Sequence, residues 1–120
     1  MKILFFIFFC FCAYSVFAQA DSSFMETGMA SFYAKKFEGR KCSSGEVFRN
    51  DRLTAAHKTL PFGTRVKVTN LSNDSVVIVT INDRLPKRSK RTIDLTRRAA
   101  KQLNFIPKGL TKVKIEIQHD

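Results

Sequence analysis

The sequence predicts a mainly β domain that closes into a barrel, on three observations. Short stretches along the chain alternate apolar and polar residues with a period of two, the pattern of half-buried strands. Two segments echo one another: "AAHKTLPFGTRVKV" (55–68) and "AAKQLNFIPKGLTKVKI" (99–115) share an alanine pair, an aliphatic-Pro-x-Gly turn and a strand that opens Thr-basic-Val-Lys. The folding part of the chain is short, so two related halves must share one β core, and a barrel is the natural closure for such a sheet.

The elements follow in order. Lys2 precedes the apolar run "ILFFIFFCFCAYSVFA" and then small residues and Gln, the pattern of a secretory signal peptide with cleavage after Ala18 or Ala20. The run is short for a membrane span, and the phenylalanines before Cys10 and Cys12 do not suit a lipid-attachment site. Residues 1–20 are therefore read as a signal peptide, 21–26 as a flexible lead-in and 27–118 as one domain. The product is expected to be exported to the periplasm or cell envelope, soluble rather than lipid-anchored.

Within that domain "TGMASFYA" alternates as a first strand, and residues 35–52, rich in Gly, Ser, Lys and Arg, read as a long functional loop. "TRVKVTN", a turn at 72–74 and "SVVIVTI" form a hairpin pattern with Val66 and Val68 on one face. "TIDL" is a further short strand. Thr96 is a candidate N-cap for a helix over "RRAAKQL", with Ala99, Ala100 and Leu103 on one side. "TKVKIEIQ" closes the chain with Val113, Ile115 and Ile117 inward.

The formal net charge is +11, and Lys2 alone of the basic residues lies in the leader, so the exported domain seeks polyanions. Export makes these the glycan of the wall, its peptide carboxylates, wall polymers and anionic lipid. Nucleic acid is not an expected partner: the basic stretch through Arg84, Lys87, Arg88, Lys90 and Arg91 lacks interleaved aromatics. Cys42, the one cysteine beyond the leader, cannot form an internal disulfide and reads as a small buried residue. Cys42, His57 and His119 have no zinc-ligand spacing, and neither a phosphate-binding loop nor a Gly-x-Ser-x-Gly elbow occurs. No metal or cofactor is expected.

Carboxylates remain as the chemistry. Glycosidic cleavage needs a protonated carboxyl to serve the leaving oxygen and stabilisation of a sugar cation, often by a second carboxylate. Glu46, Asp83 and Asp94 can fill either part. Each has a structural alternative: Asp83, just past a strand, can pair with Arg84 or cap its own turn; Glu46 can be a plain loop residue; Asp94 can pair with Arg91 and fix the basic loop. His57, before a Pro-Gly turn, can be bound to backbone.

The succession "GMASFYAKKFEGRKCSSGEVF", "LTAAHKTLPFGTRVKVTNLSNDSVVIVTINDR" and "RTIDLTRRAAKQL" resembles the rare lipoprotein A (RlpA) family of bacterial envelope proteins along almost the whole mature chain. The resemblance implies a six-stranded double-psi β-barrel, here mainly β with one or two short helices. It implies an endolytic peptidoglycan transglycosylase that prefers glycan strands stripped of stem peptides. The family's active-site Glu, His and Asn-Asp-Arg aspartate fall on Glu46, His57 and Asp83, and Asp94 matches the acid of expansin-like relatives. A family aspartate three residues beyond the Glu is replaced by Arg49, and Leu85 stands where the family has Gly.

The expected reaction is non-hydrolytic cleavage between N-acetylmuramic acid and N-acetylglucosamine, giving a 1,6-anhydro end. Asp83 or Glu46 serves as the acid and His57 positions the sugar or tunes the acid. Asn82, Arg84, Asp94 and Arg91 are expected to bind substrate. Arg49 and Leu85 favour a second reading, a non-catalytic, expansin-like wall-binding module. A third, a secreted cationic membrane-damaging protein, lacks the long amphipathic helix such activity needs.

Overall fold

Period-two alternation turns one side of each strand inward, and the computed structural model, which describes residues 24–119, shows six such strands. They are β1 (Met25–Phe32), β2 (Thr54–His57), β3 (Arg65–Asn70), β4 (Val76–Arg84), β5 (Ile93–Leu95) and β6 (Thr111–Ile117), with one short helix, α1 (Arg97–Gln102), between the last two. They form a closed barrel in the order β1-β5-β2-β4-β3-β6. The expected signal peptide and most of the lead-in lie outside the described residues. Among the described residues no helix is long and apolar enough to cross a membrane.

The interior is filled by Val66, Val68, Val77, Val79, Ile81, Ile93, Leu95, Val113 and Ile115, joined by Ala99, Ala100 and Leu103 from α1. Each fully buried aliphatic of this kind stabilises the fold by about 1.5–3 kcal/mol. The Thr96 side chain accepts from the Ala99 amide, as its place before the helix predicts. The internal echo is structural in its second part: β3 and β6 pair antiparallel with Val68 opposite Ile115, and the preceding turns both pivot on a glycine of positive φ, Gly63 (92°) and Gly109 (78°). Its first part diverges, because Ala55 and Ala56 lie in β2 whereas Ala99 and Ala100 lie in α1.

Three expectations change. The first strand begins at Met25 rather than Thr27, because Met25–Ala30 pair along β6 from Glu116 to Thr111, so the lead-in is shorter than read. β4 runs on through Asn82, Asp83 and Arg84, expected in a turn past the strand, because β2 lies parallel beside them and supplies a ladder. Residues 35–52 are organised: a 3-10 turn at Lys35–Phe37 and a bridge from Lys41 to Val47 hold Cys42 and Phe48 buried against the barrel.

Asn70, the last residue of "VTN", is buried and satisfied on both ends. Its Nδ2 donates to the Leu103 carbonyl (2.7 Å), and its Oδ1 accepts from the Ser72 amide (2.9 Å) and the Thr111 hydroxyl (2.8 Å), joining the β3–β4 turn, α1 and β6. Gly28 has a steric role, since a Cβ there would lie 1.9 Å from the Thr92 Oγ1. Gly28→Ala is expected to lower stability by about 1–3 kcal/mol in urea unfolding. Thr27→Ala, at the exposed neighbouring position, should stay within about 0.5 kcal/mol.

Candidate active site

Residues in register on neighbouring strands point to the same side of a sheet. Ala56 of β2 is opposite Asp83 of β4 on one edge and Asp94 of β5 on the other, and Asp94 is opposite Ser31 of β1. Ser31, Asp94, Ala56 and Asp83 therefore form a row across the outside of the barrel, between the inner rows Ala30, Ile93, His57 and Phe32, Leu95, Ala55. Between Ala55 and Ala56 the β2–β4 register shifts by one residue, and Asn82 is the extra one. Such a bulge re-aims side chains, and here both Asn82 and Asp83 bond to the loop of residues 35–52.

Asp83 is the most heavily bonded acid. Its Oδ2 accepts from the Tyr33 hydroxyl at 2.5 Å, and its Oδ1 from the amides of Ser43 (2.8 Å) and Arg84 (2.9 Å). Burial pushes its pKa up, but the bonds from Tyr33, Ser43 and Arg84 outweigh burial and hold the carboxyl below its usual 3.8. Tyr33 shifts the opposite way: burial, then its bond to Asp83, drives the phenol far above its ordinary range, so it stays a donor.

Glu46 stands on the exposed loop, in a tight turn where the Cys42 amide donates to the Glu46 carbonyl and Gly45 takes φ 95°. Its Oε1 accepts from Asn82 Nδ2 (2.9 Å), while the Asn82 carbonyl accepts from the Ser44 amide (3.2 Å). Glu46 and Asn82 border a hollow of about 510 Å³ with Arg49, Arg52, Thr54 and Thr80. A larger hollow of about 600 Å³ lies between the loop and α1, but no expected site residue lines it.

The remaining candidates separate. His57 is 2% exposed and in register with Ile93 of the core, so its ring turns away from the outer row. Its Nδ1 accepts from the Thr59 and Leu60 amides, both at 3.1 Å, which leaves the proton on Nε2 to be donated to Glu26 Oε1 (2.7 Å). The ring braces the turn after β2. Arg84 stacks on Phe62 at 4.2 Å and reaches the His57 carbonyl. Arg91 forms the expected pair with Asp94, Nε to Oδ1 at 2.8 Å and Nη2 to Oδ2 at 3.1 Å. The bond to Asp94 raises the Arg91 pKa further, and Ser31 also donates to Asp94. Cys42 is buried, and burial with the nearby Asp83 and Glu46 lifts its thiol to about 11, so it is neutral and unreactive at neutral pH.

The sequence profile of the lytic transglycolase family matches residues 25–115. The chain is 50% identical over 97 residues to the endolytic peptidoglycan transglycosylase RlpA of Haemophilus influenzae, a match covering 81% of this chain and 34% of that protein. The protein of the same name from Rickettsia bellii is 50% identical over 104 residues, 84% of this chain and 46% of its own. The chain belongs to the RlpA family. It spans a third to a half of the length of these curated relatives. Two solved structures share the fold: the Streptomyces papain inhibitor (TM-score 0.67, 18% identity, 84% of this chain and 100% of that one) and the expansin of Clavibacter michiganensis (TM-score 0.65, 18% identity, 81% and 52%). The barrel is the double-psi β-barrel.

Against the RlpA pattern, Leu85 fits without backbone strain. Its backbone is not in the left-handed region, where among non-glycine described residues only Asp74 and Asn104 lie, and its side chain is buried. Arg49 reaches Glu38 at 3.6 Å with both side chains about half exposed, too solvated to bind strongly. Tyr33 and Ser43 were missed as site residues. Their partner lies 40 to 50 positions away, and the one local signal was that Tyr33 continues the outward period of Ser31 in β1.

Because folding lowers the Asp83 pKa, the stabilisation it provides is complete above the unfolded value near 3.8 and is lost as pH falls through the folded value. Asp83→Asn is therefore expected to lower the urea midpoint at pH ~7, with the gap to the parent protein closing below pH ~4.

Proposed function

We propose that the chain is an exported endolytic peptidoglycan lytic transglycosylase of the cell envelope, acting in wall organisation and septation. Its substrate is the glycan strand, stripped of stem peptides, cut at the β-1,4 bond between N-acetylmuramic acid and N-acetylglucosamine. The observation that carries the reading is the unlike treatment of two neighbouring carboxyls. Asp83 is bonded into its ionised form, whereas Glu46 is exposed and has only Oε1 engaged, by Asn82, among the bonds of the described residues. Pairs whose surroundings differ in this way divide into an acid and a charge stabiliser.

Glu46 then delivers a proton to the glycosidic oxygen as its bond to the muramyl C1 breaks. Asp83 stabilises the positive charge that develops at C1. The muramyl 6-hydroxyl attacks C1 and returns its proton to Glu46, leaving a 1,6-anhydro ring and a new 4-hydroxyl, with no water consumed. Asn82 orients Glu46. Arg91 and Asp94 flank the cleft and contact hydroxyls or the lactyl carboxylate, Arg84 on Phe62 meets the glycan strand at the His57 end, and the basic loop after β4, tied down by Lys58 Nζ to the Ser89 carbonyl at 2.6 Å, draws in anionic wall polymer. His57 positions the β2–β4 end rather than the sugar.

A wall-binding module without turnover is the second reading, favoured by Arg49, which lines the same hollow as Glu46 where the family carries an acid. Mass spectrometry of products from intact and amidase-stripped peptidoglycan decides between them. New 1,6-anhydro ends are expected, reduced at least about a hundredfold by Glu46→Gln and by Asp83→Asn. Folded protein that pellets with sacculi yet yields no new ends overturns the enzymatic reading. Arg49→Asp is expected to raise turnover in the same assay.

A further inference from the structure

We propose that Tyr33 is a positioning residue of the cleft: its hydroxyl, donated to Asp83, fixes the orientation and charge of that carboxylate against the incoming sugar. The inference rests on the role given to Asp83 above. The Tyr33 amide donates to the Leu95 carbonyl at 3.0 Å, prolonging the β1–β5 pairing by one residue and sending the ring out on the side of Ser31 and Asp94. Phe48, 3% exposed, lies 4.2 Å from the ring at a 32° tilt, and Phe37 meets it edge-on at 5.9 Å. So clamped, the ring presents its hydroxyl to Oδ2 of Asp83, whose Oδ1 is already taken by two main-chain amides.

The other charged and titratable groups around Asp83 make this donor consequential. Glu46 and Cys42 approach from the loop and Asp94 from β5, with Arg91 as counterion to Asp94; Arg84 follows on β4, its guanidinium on Phe62; His57 and Glu26 pair on the inner side. Burial favours the protonated form of Asp83. The Tyr33 hydroxyl opposes that at Asp83, with a smaller contribution from the Ser43 side chain.

Tyr33→Phe keeps both ring contacts and removes the donor. The test follows the Asp83 carboxyl carbon by 13C NMR against pH, with the pH profile of 1,6-anhydro formation alongside. The expected result is an upward shift of the Asp83 titration in Tyr33→Phe and an equal upward shift of the acid limb of the rate profile. Replacing Tyr33 with 3-fluorotyrosine, a stronger donor of the same size, should move both the other way. An Asp83 titration that is the same in the parent protein and both variants, or that moves in one direction in both, overturns the proposal. If no protein forms anhydro ends, the enzymatic reading fails, while the carboxyl titration still decides the role of Tyr33.

Discussion

The site depends on the register of β2 at Ala56. This four-residue strand is paired on both edges, parallel to β4 and antiparallel to β5, and at Ala56 both partners are aspartates. A slip of β5 by one residue would turn Asp94 into the core and bring Ile93 and Leu95 to the surface, so burial of those two aliphatics fixes Asp94 opposite Ala56. Between the acids stands only the methyl of Ala56, itself buried. The bulge at Asn82 then adds a second polar side chain to the same side.

The loop of residues 35–52 completes what the barrel begins. It is joined at one end to Asp83 and Asn82 through Ser43, Ser44 and Glu46, and at the other to α1, where the Asn50 side chain accepts from the Arg97 amide (3.0 Å) and Thr96 donates to the Arg52 carbonyl (2.5 Å). Its own Phe48 packs on Tyr33 beneath. In a chain of formal net charge +11, this confines a small acidic centre within a basic surface. Such a centre can draw an anionic polymer while keeping a carboxylate to face a developing cation.

Much of the barrel was legible because strand period and turn chemistry are local. Val66, Val68, Val113 and Ile115 announced their inward face, Thr96 its cap, and Gly63 and Gly109 their turns. What could not be read was set by pairing at a distance. Met25 and Glu26 look like a polar lead-in until β6 gives them a ladder, and Asp83 looks like a turn residue until β2 lies beside it. Glu46, His57 and Asp83 came from the family resemblance, but the division proposed between the two acids rests on Tyr33 and on main-chain amides. The inward side of His57 follows from register with Ile93, which no motif spells out.

In the proposed reaction Glu46 addresses the glycosidic oxygen while ionised Asp83 faces the sugar carbon. A crystal structure of the Glu46→Gln protein with a short peptide-free wall glycan tests it most directly. The scissile oxygen is expected within about 3 Å of the residue-46 amide and the muramyl C1 turned toward Asp83. A glycan centred on Asp94, or bound in the hollow beside α1, would contradict it.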